Sequence, residues 1–258
     1  MLSKNINFKS FNHKKINKKL KKYFSEIINK NNEILKSLTP NYKYQYNKKL
    51  IQKFKKEKVL KIIGMGGSIL GTRAIHDYLK HKIKKEVIFF DNIEANVNIK
   101  KKGINLIISK SGNTLETIVN SNIIIKKNEK NIFITESRNN YLRLLALKIK
   151  AEIINHNNFI GGRYSVLSEV GMLPAELIGL DESKFKQFNN LIKNKSFINL
   201  LITNVNSTLF FIKNKKFNSI ILNYDSSANN LFNWYQQLIA ESLGKKGKGI
   251  LPIISQMP

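Results

Sequence analysis

From Val59 onward the chain repeats one unit: a short apolar run, a glycine-bearing or polar turn, then apolar residues three and four positions apart. The runs at 59–63, 87–90, 104–108 and 132–134 predict strands, and the segments 68–79, 114–125 and 141–149 predict helices. Short, predominantly apolar runs alternating with helical patterns suit the strands of a parallel sheet. The alternation therefore predicts an α/β fold, a doubly wound parallel sheet flanked by helices, with ligands at the carboxyl ends of the strands. Residues 168–212 read as mainly helical, and strand 220–224, helix 228–243 and strand 250–254 open a second unit of the same kind. Two strands and one helix cannot close a sheet, so the chain is expected to be incomplete at its C-terminus. The expected divisions are an N-terminal helical segment over 1–58, a first α/β domain over 59–195, and a linker helix with an incomplete second domain over 196–258.

Residues 1–60 contain 17 Lys, no Arg and three Glu, which places half of the net charge of +28 in that segment. Ile16, Leu20, Tyr23, Phe24, Ile27 and Ile28 recur at helical spacing, predicting an amphipathic helix with a lysine-rich solvent face. Pro40 and the run Asn41-Tyr42-Lys43 predict the break before the next helix. Such charge ordinarily points to nucleic acid. Here 41 of the 45 basic residues are Lys and only four are Arg, the residue whose planar fork reads bases and clamps phosphates. The chain also has 35 Asn and much Ile, which share AT-rich codons with Lys, so codon composition accounts for the charge and no nucleic-acid partner is expected. The absence of cysteine excludes disulfides, thiolate metal sites and a cysteine nucleophile. No apolar window reaches the roughly 18 residues of a membrane span, and no apolar segment follows Met1-Leu2-Ser3-Lys4-Asn5. A cytoplasmic protein with no membrane association is expected.

Four segments carry groups suited to chemistry. Ile63-Gly64-Met65-Gly66-Gly67-Ser68 follows a strand and opens a helix, where glycines let backbone N–H groups approach an anion. It lacks both the dinucleotide spacing and the P-loop ending, and a plain tight turn would look the same. Ser109-Lys110-Ser111-Gly112-Asn113-Thr114 puts three hydroxyls at the start of the next helix, where an ordinary N-cap needs one, and this predicts a phosphate monoester site. Gly161-Gly162-Arg163-Tyr164-Ser165 aims a permanent planar cation from a stretch of close backbone approach, although pairing with a surface carboxylate would also explain the arginine. In Gln237-Leu238-Ile239-Ala240-Glu241-Ser242-Leu243-Gly244-Lys245, Gln237 and Glu241 share a helix face. A partly desolvated carboxylate there would serve as a general base, whereas most helical glutamates are simply solvated.

In this order the four segments closely resemble the phosphoglucose isomerase family, whose members are built from two sugar-isomerase (SIS) domains. The resemblance runs from about residue 62 to the end. Gly-Gly-Arg-Tyr-Ser at 161–165 and Glu-Ser-x-Gly-Lys at 241–245 are specific to the family, while the glycine and serine turns are shared by SIS domains generally. It implies an aldose–ketose isomerase interconverting glucose 6-phosphate and fructose 6-phosphate in glycolysis and gluconeogenesis, a homodimer when full length, with no metal and no cofactor. Carried over by position, Ser109, Ser111 and Thr114 hold the phosphate with backbone help from Lys110, Gly67, Ser68 and Gly162 line the sugar pocket, and Gln237 contacts substrate. Glu241 moves the proton between C2 and C1, and Arg163 stabilises the cis-enediolate.

Thr72 and Leu243 depart from the proline and asparagine common in the family, which affects local shape more than chemistry. Family members also donate a histidine across the dimer for ring opening, and His13, His76, His81 and His156 do not match it. Little isomerisation is therefore expected of residues 1–258 alone. A non-catalytic SIS protein that binds a sugar phosphate, or an inactive fragment of the isomerase, would use the serine turn but leave Arg163 and Glu241 idle. A basic nucleic-acid-binding protein would account only for the charge.

Overall fold

A computed structural model describes residues 11, 18–93, 101–126 and 128–256. Three helices come first, α1 (Lys18–Ile28), α2 (Glu33–Ser37) and α3 (Lys48–Phe54). In α1, Leu20, Phe24 and Ile28 are half-buried, while Tyr23 and Ile27 face solvent, so only part of the predicted stripe is used; Ile16 and His13 lie outside the described residues. Asn32 and Asn47 cap α2 and α3 by accepting the backbone N–H groups of Leu35 and Leu50.

The α/β layer follows as β1 (Val59–Gly64), a 3-10 turn (Gly66–Ser68), α4 (Leu70–Tyr78), β2 (Glu86–Phe90) and β3 (Ile104–Ile108). It continues with α5 (Leu115–Ile124), β4 (Lys130–Thr135), α6 (Tyr141–Lys148) and β5 (Glu152–Asn155). Every predicted element of this region is present. α4 starts two residues late because Ser68 and Ile69 donate to the carbonyls of Met65 and Gly66, a tighter turn than an α-helix makes. β5 is not among the predicted strands: two isoleucines between a glutamate and an asparagine are too brief a pattern to stand out.

All five strands are parallel, in the order β2-β1-β3-β4-β5. The order reverses between β1 and β3, the place where a doubly wound sheet opens a crevice at its carboxyl edge. One face buries Leu60, Ile62, Leu106, Ile132 and Ile134 with Phe54, Val170 and Leu173; the other buries Ile63, Ile107 and Phe133 with Ile124, Leu142 and Ala146. Beside this second cluster, Lys61, Asn105 and Asn131 are in register on β1, β3 and β4 and form a buried polar row. Lys61 Nζ pairs with Glu129 at 2.8 Å, and Asn105 Nδ2 donates to Glu129 and to Asn131 Oδ1, both at 2.8 Å.

Beyond a second 3-10 turn (Gly162–Leu167) come α7 (Glu169–Leu177), α8 (Phe188–Lys193) and α9 (Lys195–Lys213), against which α1 packs. Then β6 (Asn218–Asn223), α10 (Asn229–Leu243) and β7 (Leu251–Gln256) form a second unit whose two strands pair in parallel. α10 packs on α4, which joins this unit to the first sheet. The N-terminal arm is tied to the same core. Tyr42 OH donates to Glu169 at 2.9 Å, and the buried Lys186 ammonium donates to the carbonyls of Ser37 and Leu167 beneath the rings of Tyr42 and Tyr44.

Candidate active site

Gly64 and Ile108 are register partners at the ends of β1 and β3, so the glycine turn and the serine turn leave the sheet side by side at the reversal of strand order. In the serine turn, Gly112 has a φ of +65° and faces Asn140, whose Oδ1 would lie 1.8 Å from an added Cβ. Only glycine fits there. Thr114 occupies the N-cap of α5 yet makes no capping hydrogen bond; its hydroxyl pairs with Ser109 Oγ at 3.0 Å instead. Ser109 is buried and also accepts the Gly112 N–H at 3.2 Å, so it braces the turn, whereas Ser111 stands exposed and Thr114 half-exposed. Lys110 turns its ammonium away, to the carbonyl of Asn158 at 2.8 Å, and its own carbonyl accepts the N–H of Glu136. The turn thus presents hydroxyls and backbone at a helix start, the chemistry of a phosphate site.

The glycine turn meets the other two segments. A Cβ on Gly67 would fall 2.5 Å from the Gly162 carbonyl carbon and 2.6 Å from the Arg163 nitrogen, so backbone packs on backbone. A Cβ on Gly66 would lie 2.9 Å from Gln237 Nε2, which places α10 against the same turn. Ser68, half-buried, closes the turn. Across this junction Arg163 Nη1 donates to Glu241 Oε2 at 3.2 Å and Arg163 Nε to Ser242 Oγ at 3.0 Å. Gln237 Nε2 donates to Glu241 Oε1 at 2.8 Å, and Gln237 Oε1 is buried without a partner in the structure. Residues 78 apart in the chain thereby share one cluster.

Glu241 is about half exposed, with a side-chain accessibility of 48%. Near the C-terminal end of α10 its side chain meets the arginine-bearing turn on one side and solvent on the other. The Arg163 guanidinium is held above its ordinary pKa, first by the Tyr164 phenol and then by Glu241. The Tyr164 phenol is held below its ordinary pKa, first by a hydrogen bond with Ser242 and then by Arg163.

Sequence reasoning alone does not single out Tyr164 and Ser242 as functional residues, although both stand inside the quoted motifs. It also misses Asn140. The place of Asn140 just before the predicted helix at 141 is the signal that could have found it: it caps α6 by accepting the Arg143 N–H at 2.9 Å, while Asn113 and Gly112 of the serine turn accept the N–H groups of Tyr141 and Leu142.

Cavities of about 600 Å³, between α2 and α8, and about 740 Å³, beside Asp77 and Asp225, lie away from this cluster. The site is assigned by its chemistry, since neither cavity includes Arg163, Glu241 or the serine turn. Among the described residues no group of three or more His, Asp or Glu stands close enough to hold a metal ion, and no helix is long and apolar enough to cross a membrane.

The family model for phosphoglucose isomerase matches residues 28–250. The chain belongs to the phosphoglucose isomerase family. The glucose-6-phosphate isomerase of Methanocaldococcus jannaschii is 37% identical over 223 residues, covering 75% of this chain and 52% of the relative. That of Mycoplasmopsis pulmonis is 32% identical over 279 residues, covering 91% and 65%. The chain thus spans between half and two-thirds of the length of these relatives. Among solved structures, a hypothetical protein of Thermus thermophilus superposes with a TM-score of 0.70 at 18% identity, covering 93% of this chain and 64% of that one. Glucosamine-6-phosphate deaminase of Thermotoga maritima superposes with a TM-score of 0.56 at 15% identity, covering 93% and 70%. A tagatose-6-phosphate ketose/aldose isomerase from Escherichia coli reaches 0.54 at 12% identity, over 81% of this chain and 60% of that one. At such identities these likenesses speak for the parallel α/β fold shared with phosphosugar enzymes.

Proposed function

We propose that the protein interconverts glucose 6-phosphate and fructose 6-phosphate through a cis-enediolate, as a cytoplasmic homodimeric enzyme of glycolysis and gluconeogenesis. The observation that carries the reading is the Arg163–Glu241–Gln237 cluster at the glycine turn, beside a turn suited to phosphate. Family membership and the names of the relatives support it.

In this reading Ser111, Thr114 and the backbone of residues 109–114 hold the phosphate, with Ser109 and Lys110 shaping the turn. Gly67, Ser68 and Gly162 line the sugar, and Gln237 receives a substrate hydroxyl at its free oxygen. Glu241 takes the proton from C2 of the open-chain aldose while the C1 carbonyl oxygen accepts the displaced electron pair. Return of that proton to C1, with the O2 hydroxyl proton passing to O1, yields the ketose and restores the carboxylate. The intermediate carries negative charge on its two oxygens, and the fixed planar cation of Arg163 lowers its energy. Substrate must come between Arg163 and Glu241, replacing water at the half-exposed carboxylate and setting the base against the proton it removes.

Turnover of the full-length protein, measured by coupling glucose 6-phosphate formation to a dehydrogenase, tests the reading. Glu241→Gln keeps the shape and loses the base, so turnover should fall about 10²–10⁴-fold while calorimetric binding of sugar phosphate persists. Unchanged turnover would remove Glu241 from the mechanism. Binding without turnover by the unaltered full-length protein would mark a non-catalytic sugar-phosphate binder.

A further inference from the structure

Two residues of the family-specific motifs have no part in the reaction described above: Tyr164, next to the arginine, and Ser242, next to the glutamate. The structure brings them together. Ser242 Oγ accepts Arg163 Nε–H at 3.0 Å and stands 2.7 Å from Tyr164 OH, while the Arg163 guanidinium lies over the Tyr164 ring at 5.0 Å from its centroid. We propose that Ser242 and Tyr164 are positioning residues that fix the plane of the Arg163 guanidinium toward the reacting sugar oxygens.

Glu241 alone cannot do this. It touches only Nη1, and a single hydrogen bond lets a guanidinium swing about that contact. A second bond at Nε, on a different edge of the same rigid plane, removes the rotation, and the aromatic face removes tilt. Ser242 and Glu241 are consecutive on α10, so one helix grips the cation at two points. During turnover Glu241 gives up its ion pair to serve as base, and Ser242 is then the contact from α10 that remains. The lowered pKa of Tyr164 fits a serine hydroxyl that accepts from Nε and donates to the phenol oxygen, so that neither donor is wasted.

The inference rests on the proposed isomerase reading for its consequence in turnover, but not for the clamp itself, and the test separates the two. The chain has four arginines, so the Nε–H region of a proton–nitrogen NMR spectrum is sparse, and Arg163→Lys identifies the Arg163 resonance. Ser242→Ala should shift that resonance or broaden it by solvent exchange, and Ser242→Thr, which keeps the hydroxyl, should retain it. In the coupled assay Ser242→Ala should lower kcat about tenfold or more, the effect of losing one charge-assisted hydrogen bond, with KM within about twofold. Ser242→Thr should recover most of kcat, and Tyr164→Phe should give a smaller loss of the same kind. An unmoved Arg163 resonance in Ser242→Ala overturns the clamp. A moved resonance with unaltered kcat overturns its role in turnover. Absence of turnover by the unaltered full-length protein would defeat the isomerase reading, and the spectrum would still decide whether Ser242 holds Arg163.

Discussion

Arg163 meets α10 through two different nitrogens, so replacing it with lysine removes geometry and leaves charge. Lysine offers a compact cation on a flexible stem and cannot reach a serine and a carboxylate with a rigid fork. Arg163→Lys should therefore lower kcat more than it raises KM in steady-state assays with fructose 6-phosphate. A rise in KM at constant kcat would make Arg163 a phosphate ligand instead. Lys186 offers a second test at this scale. Burial pushes its pKa down to about 8, opposed by Glu182 and Glu169. The Tyr42 and Tyr44 phenols beside it are pushed well above their usual range by the same burial and stay neutral in this window. Between about pH 8 and the unfolded value of 10.5 the unfolded chain binds a proton that the folded chain has released, so this residue makes stability rise with pH. Urea midpoints compared between the unaltered protein and Lys186→Met should diverge in favour of the former from about pH 7.5 to about pH 9.5. A flat or shrinking difference would refute the depressed pKa.

Strands β1, β3 and β4 carry both the apolar core and the polar row of Lys61, Asn105 and Asn131, and the two respond differently to substitution. The Lys61–Glu129 side chains are 1% and 6% accessible, so neither charge has water to fall back on. Such a pair adds little net stability over an apolar replacement, yet loss of one member strands the other. Lys61→Met should cost about 3–5 kcal/mol in urea unfolding. Lys61→Met combined with Glu129→Leu should recover most of that loss, and equal losses in the single and double variants would show that the row acts by some means other than charge pairing. These strands were legible because burial keeps their residues mostly apolar: 59–63 and 104–108 each carry a single polar residue, and 132–134 none. β5 was not, since Glu152 and Asn155 interrupt the pattern while β4 supplies the pairing. The late start of α4 likewise depends on carbonyl acceptors at Met65 and Gly66 that only the folded turn presents.

The molecule as a whole joins a five-stranded layer covered on both faces to a two-stranded one, and the second leaves a face uncovered. Ile220, Leu222, Leu251 and Ile253 are 65%, 53%, 53% and 39% accessible on that face, while their alternates Ile221 and Ile254 are more sheltered. An apolar sheet face with open edges associates with whatever apolar surface is available. Sedimentation velocity over a concentration series should show self-association of the 258-residue chain, and Ile220→Lys with Leu251→Lys should suppress it; a monodisperse unaltered chain would refute this. At this scale the division between sequence and tertiary structure is plain. The βα alternation, the three hydroxyls at 109–114 and the motifs at 161–165 and 241–245 were readable from order alone, because periodicity and turn chemistry are local properties of a chain. The assembly of the cluster was not local. Whether Glu241 is a solvated helix residue or the partner of an arginine 78 positions earlier depends on α10 packing against α4 and the glycine turn. The exposure of Glu241, the clamp on Arg163 and the neighbourhood of the two turns were decided only by the tertiary structure, because long-range contacts form between surfaces that exist only once each element has folded.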